Sequence, residues 1–390
     1  MTAPRARLGL FVIFASTFLE LVGYFMLLPL LLLRLKADDV STSVAGLFAA
    51  TGWAGIFLFT PFASWVAQRI GRRQTLWLAA AIPAVASIGF ALTNSLPLWF
   101  LLELLAGAAS GLRWVLAEAV VAEFSPPGQR GRYIGLFETM VGTTFIVGPA
   151  VLVWVGPDSS AAIWVVVAFL MSGLASSLFI PVLPRASDDH SSAVGLRGVW
   201  RSLVKHPIIM LAGFVGGFFE GGITSILPLY GLALGLGAAT AALLASASGL
   251  GSALMMLPVG MLADRWRDKA AGRRSMMIAL AFVTLLATAV VPWVAHITWL
   301  SWPIVFLWGG AGGSLYTLAM IDIGSREEGI TLVNSTAVLV LSYTFGSMAA
   351  SAASGVLLQW SPTLGFPILL GLVALVGWGA LLRTRHRVDI

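Results

Sequence analysis

Residues 8–33 form a run of 26 with a single charged side chain, Glu20. Hydrocarbon offers no partners to peptide N–H and C=O groups. A segment that crosses it must satisfy them internally, as a helix does, and about 20 residues suffice for one crossing. Comparable runs follow at 43–66, 74–93, 96–121, 133–156, 161–183, 207–231, 240–263, 274–295, 300–322, 331–357 and 363–382, making twelve. The first is longer than the roughly 7–15-residue apolar core of a signal peptide, so it is expected to be retained. The expected fold class is an all-α polytopic membrane protein with twelve transmembrane helices. Composition agrees: 10% of the residues are charged, where soluble domains carry roughly 25%. The chain has no cysteine, which excludes disulfides and thiolate metal sites.

The basic residues orient the spans. Twenty of 23 fall on one side: Arg5, Arg7, Arg69, Arg72, Arg73, Arg130, Arg132, Arg185, Arg197, Arg201, Lys205, Arg265, Arg267, Lys269, Arg273, Arg274, Arg326, Arg383, Arg385 and Arg387. Arg34 and Lys36 fall on the other side, and Arg113 lies inside a span. Cytoplasmic loops concentrate Lys and Arg. Both termini are therefore expected in the cytoplasm, in a bacterial inner (plasma) membrane. The same distribution accounts for the pI near 10.2 without a nucleic-acid partner. Outer loops such as 93–96, 156–160 and 359–362 leave no room for a further domain, and the hydrophilic segments carry no enzymatic motif. The chain is not expected to be an enzyme, and no cofactor is implied.

A polar seam, 184–206, divides the chain into halves 1–183 and 207–390 that resemble each other at an offset of about 200 residues. Phe18-Leu19-Glu20 and Leu28-Pro29-Leu30 in span 1 answer Phe218-Phe219-Glu220 and Leu227-Pro228-Leu229 in span 7. Gln68-Arg69-Ile70-Gly71-Arg72-Arg73 after span 2 answers Gly260-Met261-Leu262-Ala263-Asp264-Arg265 after span 8, which is followed by an insertion and Gly272-Arg273-Arg274. Gly107 and Gly111 answer Gly309 and Gly313, and Gly148 answers Gly346. Each half starts inside and holds six spans, so the repeat is parallel, with its axis along the membrane normal.

These features resemble the major facilitator superfamily over the whole chain. Its loop signature runs roughly G-x-L-A-D-R-x-G-R-R; the first copy here has Gln68 in place of Asp, and the second has a lengthened spacing before Gly272. Arg130-Gly-Arg-Tyr-Ile-Gly-Leu-Phe-Glu-Thr, Phe219-Glu220-Gly221 and Asn334-Ser335 are similar to its YcaD-like branch. The resemblance implies two six-helix pseudo-symmetric bundles that rock about a central cavity. It also implies an inner gate of charge pairs among Arg69, Arg72, Arg73, Asp264 and Arg265. In the absence of an Asp at 68, Glu138 is one candidate carboxylate for the first copy. Gly142 and Gly148-Pro149 resemble the antiporter motif, a helix bend, without its later glycines; this favours export slightly.

Setting aside the terminal residues of the spans, five acids lie inside them, Glu20, Glu103, Glu118, Glu138 and Glu220, with Arg113 the lone base. A charge at the bilayer centre costs at least ~2.5–3.5 kcal/mol, so such residues face protein or water and are functional by default. Glu20 and Glu220 are midspan and repeat-equivalent, which suits proton coupling or binding of a cationic group; a structural hydrogen bond is the alternative. Arg113 lies some eight residues from the inner end of span 4, roughly 12 Å deep. Glu138 is its preferred partner and Glu20 the second choice; an inter-helix clamp and substrate binding are both open. Glu103 stands where many family members carry Arg and, on the outer third, could snorkel. Glu123 is expected to be solvated. Trp114, Tyr316 and Tyr343 are the aromatics expected to line the cavity. Trp99, Trp154, Trp299, Trp302 and Trp360 are expected as interfacial anchors.

The expected function is secondary active transport of a small molecule by alternating access, coupled to protons, in a monomer embedded in the bilayer. No nucleotide-binding G-x-x-x-x-G-K-[ST] is present. One alternative is copper import, from His206, Met210, Met255 and Met256, since soft Met ligands suit Cu(I). A non-transporting receptor is the other.

Overall fold

The computed structural model describes residues 3–383 except 41, 127, 157–158, 184–192, 223–226, 228–229, 232–233, 237, 267, 295–296 and 362–363. Arg185, Arg267, Arg385, Arg387 and Pro228-Leu229, used above, lie outside the described residues. The described elements are helices. The first half has α1 (Ala3–Ala37), α2 (Thr42–Phe59), a 3₁₀ turn (Thr60–Phe62), α3 (Ala63–Ile70), α4 (Arg72–Leu92), α5 (Leu96–Phe124), α6 (Arg130–Val155) and α7 (Ala161–Ser177). There follow α8 (Gly195–Lys205), α9 (Pro207–Gly217), which runs into a π-helical segment (Phe218–Gly222), α10 (Ala238–Arg265) and α11 (Lys269–Val294). The chain continues with α12 (Thr298–Arg326), α13 (Gly329–Trp360) and α14 (Gly365–Arg383). Among the described residues, ten helices are long and apolar enough to cross a membrane. The shorter apolar α7 and the broken α9 stand where spans 6 and 7 were expected.

The contacts group the chain into two compact units. The first holds residues 1–125, 143–202 and 327–337; the second holds 126–142, 203–326 and 338–390. In the first, α1 packs on α7, α2 on α5, and α4 on both α5 and α7. The second repeats this scheme: α9 packs on α14, α10 on α12, and α11 on both α12 and α14.

Apolar burial cannot drive helices together in lipid, so close backbone approach takes its place. A Cβ on Gly107 of α5 would overlap the Gly52 carbonyl oxygen of α2. A Cβ on Gly309 of α12 would overlap the Ser248 carbonyl oxygen of α10. The same seam thus holds span 2 to span 4 and span 8 to span 10. Trp99, expected at an interface, is buried instead: its ring lies 5.8 Å from Phe90 and its indole N–H donates to the Thr93 carbonyl at 2.7 Å. Trp154 and Trp299 are exposed, as an interfacial role requires. The Gly346, Ala350 and Ser354 stripe of α13 is a packing surface, with Gly346 against the Phe214 carbonyl and Ala350 against Gly222.

The two loop-signature copies fold differently. Gly71 joins α3 to α4 at φ +93, a value that favours glycine. In the second copy the insertion extends the following helix backward. Asp268 accepts hydrogen bonds from the N–H groups of Ala270 and Ala271 at 3.1 and 3.0 Å, capping α11. Gly272 then lies inside α11, beneath the Trp266 ring.

Candidate functional site

In the first unit, the polar centre is an ion pair. Glu20 on α1 is 4% exposed and Arg113 on α5 is 3% exposed. Arg113 Nε lies 2.6 Å from Glu20 Oε2. Arg113 Nη2 also donates to Ser16 Oγ at 2.7 Å and to Thr17 Oγ1 at 3.4 Å. Ser16 and Thr17 precede Glu20 by four and three positions, so one helix face of α1 supplies all three acceptors. Gly173 lets the α7 backbone approach α1 here: a Cβ would come within 3.1 Å of Glu20 N and 3.2 Å of Glu20 Cβ. Arg113 thus pairs with Glu20, the second of its two candidate acids.

Toward the other end of the spans, the Tyr24 hydroxyl donates to Glu103 Oε1 at 3.5 Å, and Glu103 is 1% exposed. Snorkelling is therefore not its role. Gly52 makes room for this contact, since a Cβ there would lie 2.5 Å from Glu103 Oε1. Trp114 is half-buried, and its indole N–H donates to Glu118 at 2.5 Å, one turn on along α5.

The second unit answers with a different centre. Glu220 is half-buried and sits within the π-helical segment. Such segments are frequent at functional sites because the widened turn re-aims a side chain. The Ser252 hydroxyl of α10 donates to Glu220 Oε1, and the Tyr343 hydroxyl of α13 donates to Glu220 Oε2 at 3.1 Å. Tyr343 and Tyr316 of α12 meet edge to face, 5.0 Å between centroids. Gly312 and Gly313 keep α12 close to Glu220, since a Cβ on either would lie 3.0 Å from one of its atoms. Tyr316 and Tyr343 are thereby brought together with Glu220. Glu138, on α6, is 5% exposed.

Near the Gly-Arg-Arg triplets, Arg72 Nη1 pairs with Glu123 Oε2 at 2.6 Å. Glu123 is half-buried rather than solvated, and it pairs with the first arginine of the Gly71-Arg72-Arg73 triplet. In the second unit, Arg273 Nε pairs with Asp322 Oδ1 at 3.1 Å and Arg273 Nη2 donates to Ser325 Oγ at 2.8 Å. The two pairs are repeat-equivalent, and sequence reasoning missed both. Their signal was a carboxylate near the inner end of spans 4 and 10 at the same offset as the Gly-Arg-Arg triplets. Arg69 and Arg73 stack over Trp65 and Trp77, at 5.5 and 4.4 Å from the ring centroids.

Asp264 does not meet an arginine side chain in its described contacts. Its carboxylate accepts from the backbone N–H of Gly131 at 2.9 Å and of Arg132 at 2.8 Å, in the first turn of α6. Those N–H groups have no partner within their own helix, and a negative charge is favourable at a helix N-terminus. Arg265 is exposed. Gly148 packs on α1, where a Cβ would lie 2.9 Å from Phe25 carbons; Pro149 continues α6 as the next residue.

Among the described residues, no group of three or more His, Cys, Asp or Glu could hold a metal. Met255 and Met256 pack on Gly310 and Gly313 of α12, and His206 is buried at the start of α9.

The comparisons with known proteins agree with this architecture. The Major Facilitator Superfamily model matches residues 13–327. The MFS-type transporter YfkF of Bacillus subtilis is 24% identical over 86% of this chain and 84% of its own. The MFS-type transporter YcaD of Escherichia coli is 25% identical over 84% and 83%. The crystal structure of the human organic anion transporter TETRAN covers 96% of this chain and 99% of its own, with TM-score 0.80 and 17% identity. That of the E. coli fucose:proton symporter FucP covers 95% and 98%, with TM-score 0.73 and 15% identity. These two share the fold of twelve transmembrane helices. The chain is an integral membrane protein of the Major Facilitator Superfamily, a family of transporters rather than enzymes.

Proposed function

We propose that this protein is a proton-coupled secondary transporter of a small organic molecule, working by alternating access between the bundles 1–183 and 207–390, with 184–206 as the cytoplasmic linker. Both termini lie in the cytoplasm of a bacterial inner membrane, and the transporter acts as a monomer. One observation carries this reading: two repeat-equivalent midspan acids are held differently. Glu20 has a guanidinium against it, so the pair is neutral without a proton. Glu220 receives the hydroxyls of Ser252 and Tyr343. A carboxyl among hydroxyls keeps good hydrogen bonds in either protonation state, accepting when ionised and donating when protonated. Glu220 is the proton carrier in this reading, with Tyr343 and Tyr316 beside it for substrate. Glu20 and Arg113 form the fixed or substrate-facing counterpart, with Trp114, Glu103 and Glu138 as further polar and aromatic lining.

The seat of Asp264 on α6 serves as the inner gate in the second copy, and Arg72 with Glu123 serves the first, flanked by Arg69, Arg73 and Arg265. Gly148 and Pro149 mark the bend in span 5. Their likeness to the antiporter motif supports proton-driven export.

A thermal-shift screen of the purified protein against drugs, sugars, amino acids, organic acids and metal ions, at two pH values, tests the proposal. A ligand that binds the folded state raises the melting temperature. The expected result is an organic ligand whose shift depends on pH in the wild type and loses that dependence in Glu220→Gln. The same ligand should then drive proton movement in proteoliposomes. A shift from copper alone, lost on changing Met210 or Met255, would replace the proposal with metal transport.

A further inference from the structure

Residues 195–205 belong to the seam that the sequence presents as a polar linker, but they fold as α8. At 100° per residue its side chains sort into three arcs. The first is small and buried: Gly195, Gly198 and Ser202. It seats the helix on protein. Gly195 N–H donates to Ser64 Oγ at 2.9 Å, and Ser335 Oγ donates to Ser202 Oγ at 3.1 Å. Asn334 Nδ2 donates to the Ala193 carbonyl at 2.7 Å, and its amide fills the space a Cβ on Gly198 would need. The second arc is apolar and outward: Leu196, Trp200 and Val204 are 61%, 65% and 62% exposed, with Leu203 beside them. The third arc is Arg197, Arg201 and Lys205, one per turn and exposed.

The chain then bends by 97° at His206, where α9 begins. A helix lying across the direction of a span, with an apolar arc beside a basic one, has the arrangement of an interfacial helix. Trp is favoured at that depth.

We propose that α8 is a binding surface for anionic phospholipid. Leu196, Trp200, Leu203 and Val204 enter the boundary between headgroups and acyl chains, and Arg197, Arg201 and Lys205 hold the negatively charged headgroups. Because its small, buried arc is seated on Ser64, Asn334 and Ser335, lipid held here also fastens α3 and the start of α13. This surface is separate from the polar centres and does not depend on their role.

The absence of cysteine makes Val204→Cys a unique attachment point for a fluorophore in the otherwise intact chain. The labelled protein is reconstituted into phosphatidylcholine vesicles containing brominated phosphatidylcholine or brominated phosphatidylglycerol at equal mole fraction. A basic residue near an anionic surface enriches it by roughly fivefold. Quenching by brominated phosphatidylglycerol is therefore expected to exceed that by brominated phosphatidylcholine by at least about twofold. The ratio should fall toward one in high salt and in the combined Arg197→Gln, Arg201→Gln, Lys205→Gln variant. The salt series in the unneutralised protein gives the same readout if that variant does not fold. Equal quenching by the two lipids at low salt would overturn the headgroup preference. Absence of quenching by either would overturn the placement of α8 in the bilayer surface.

Discussion

Glu20 and Glu220 occupy equivalent places in two copies of one repeat, and the copies have kept the place but not the chemistry. Glu20 is buried against Arg113. Glu220 is half-buried, lies in a widened helical turn and receives the hydroxyls of Ser252 and Tyr343. At the Gly-Arg-Arg triplets the reverse holds: Arg72 with Glu123 and Arg273 with Asp322 are the same pair made twice. Duplication has preserved the contacts that hold helices together and released those at the centre of the span. Divergence between repeats therefore separates the two centres more sharply than the presence of an acid does.

The comparison can be broken most directly at Arg113. Removing one partner of a buried ion pair costs about 3–5 kcal/mol, because the other charge is left behind. Arg113→Ala should lower stability by that order in detergent unfolding, and combining it with Glu20→Gln should restore more than half of the loss. If the double variant is no more stable than the single, the pair does not govern this centre. Glu220→Gln, by contrast, should cost about 1 kcal/mol, since an amide still bonds to hydroxyls.

The two loop copies provide the next contrast. Asp264→Ala removes two charge-assisted bonds at a helix terminus and should cost about 1–3 kcal/mol. Gln68→Ala, at an exposed position, should stay within about 0.5 kcal/mol. Equal losses would mean that the first copy is also seated through residue 68. Tyr343→Phe deletes one donor to Glu220 and is expected to cost about 1 kcal/mol or less. It should also move the pH profile of substrate-driven proton flux, whereas Tyr24→Phe, beside Glu103, should leave that profile in place.

Much of this was legible in the sequence. The spans follow from apolar run length, and the repeat follows from Pro29, the paired glycines and the loop motifs. That Glu20 and Glu220 find polar partners inside the protein follows from the cost of charge in lipid. The partners were less legible. Depth along a helix can be counted from residue numbers, and it placed Glu138 and Arg113 at similar levels. Rotation about the helix and the identity of the facing helix cannot be counted that way, and those decide that Arg113 meets Glu20. The π-helical turn at Glu220 has no marker in Phe-Phe-Glu-Gly-Gly beyond its glycines. The 195–205 helix was hidden because its arcs alternate small, apolar and basic residues, which average to a polar segment when read linearly.

The seat of Asp264 carries a further consequence, for how this contact can vary. Its acceptors face peptide N–H groups, and around it Gly131 and Gly260 each lie where the other's Cβ would strike a carbonyl oxygen. No side chain on the α6 side takes part in those two bonds. Exchanges at Arg130 or Arg132 can alter charge nearby but cannot retune them, so descendants of this chain can adjust the contact only by changing Asp264 or by giving up a glycine. It is a joint with a single adjustable screw, and drift in the surrounding sequence passes it by.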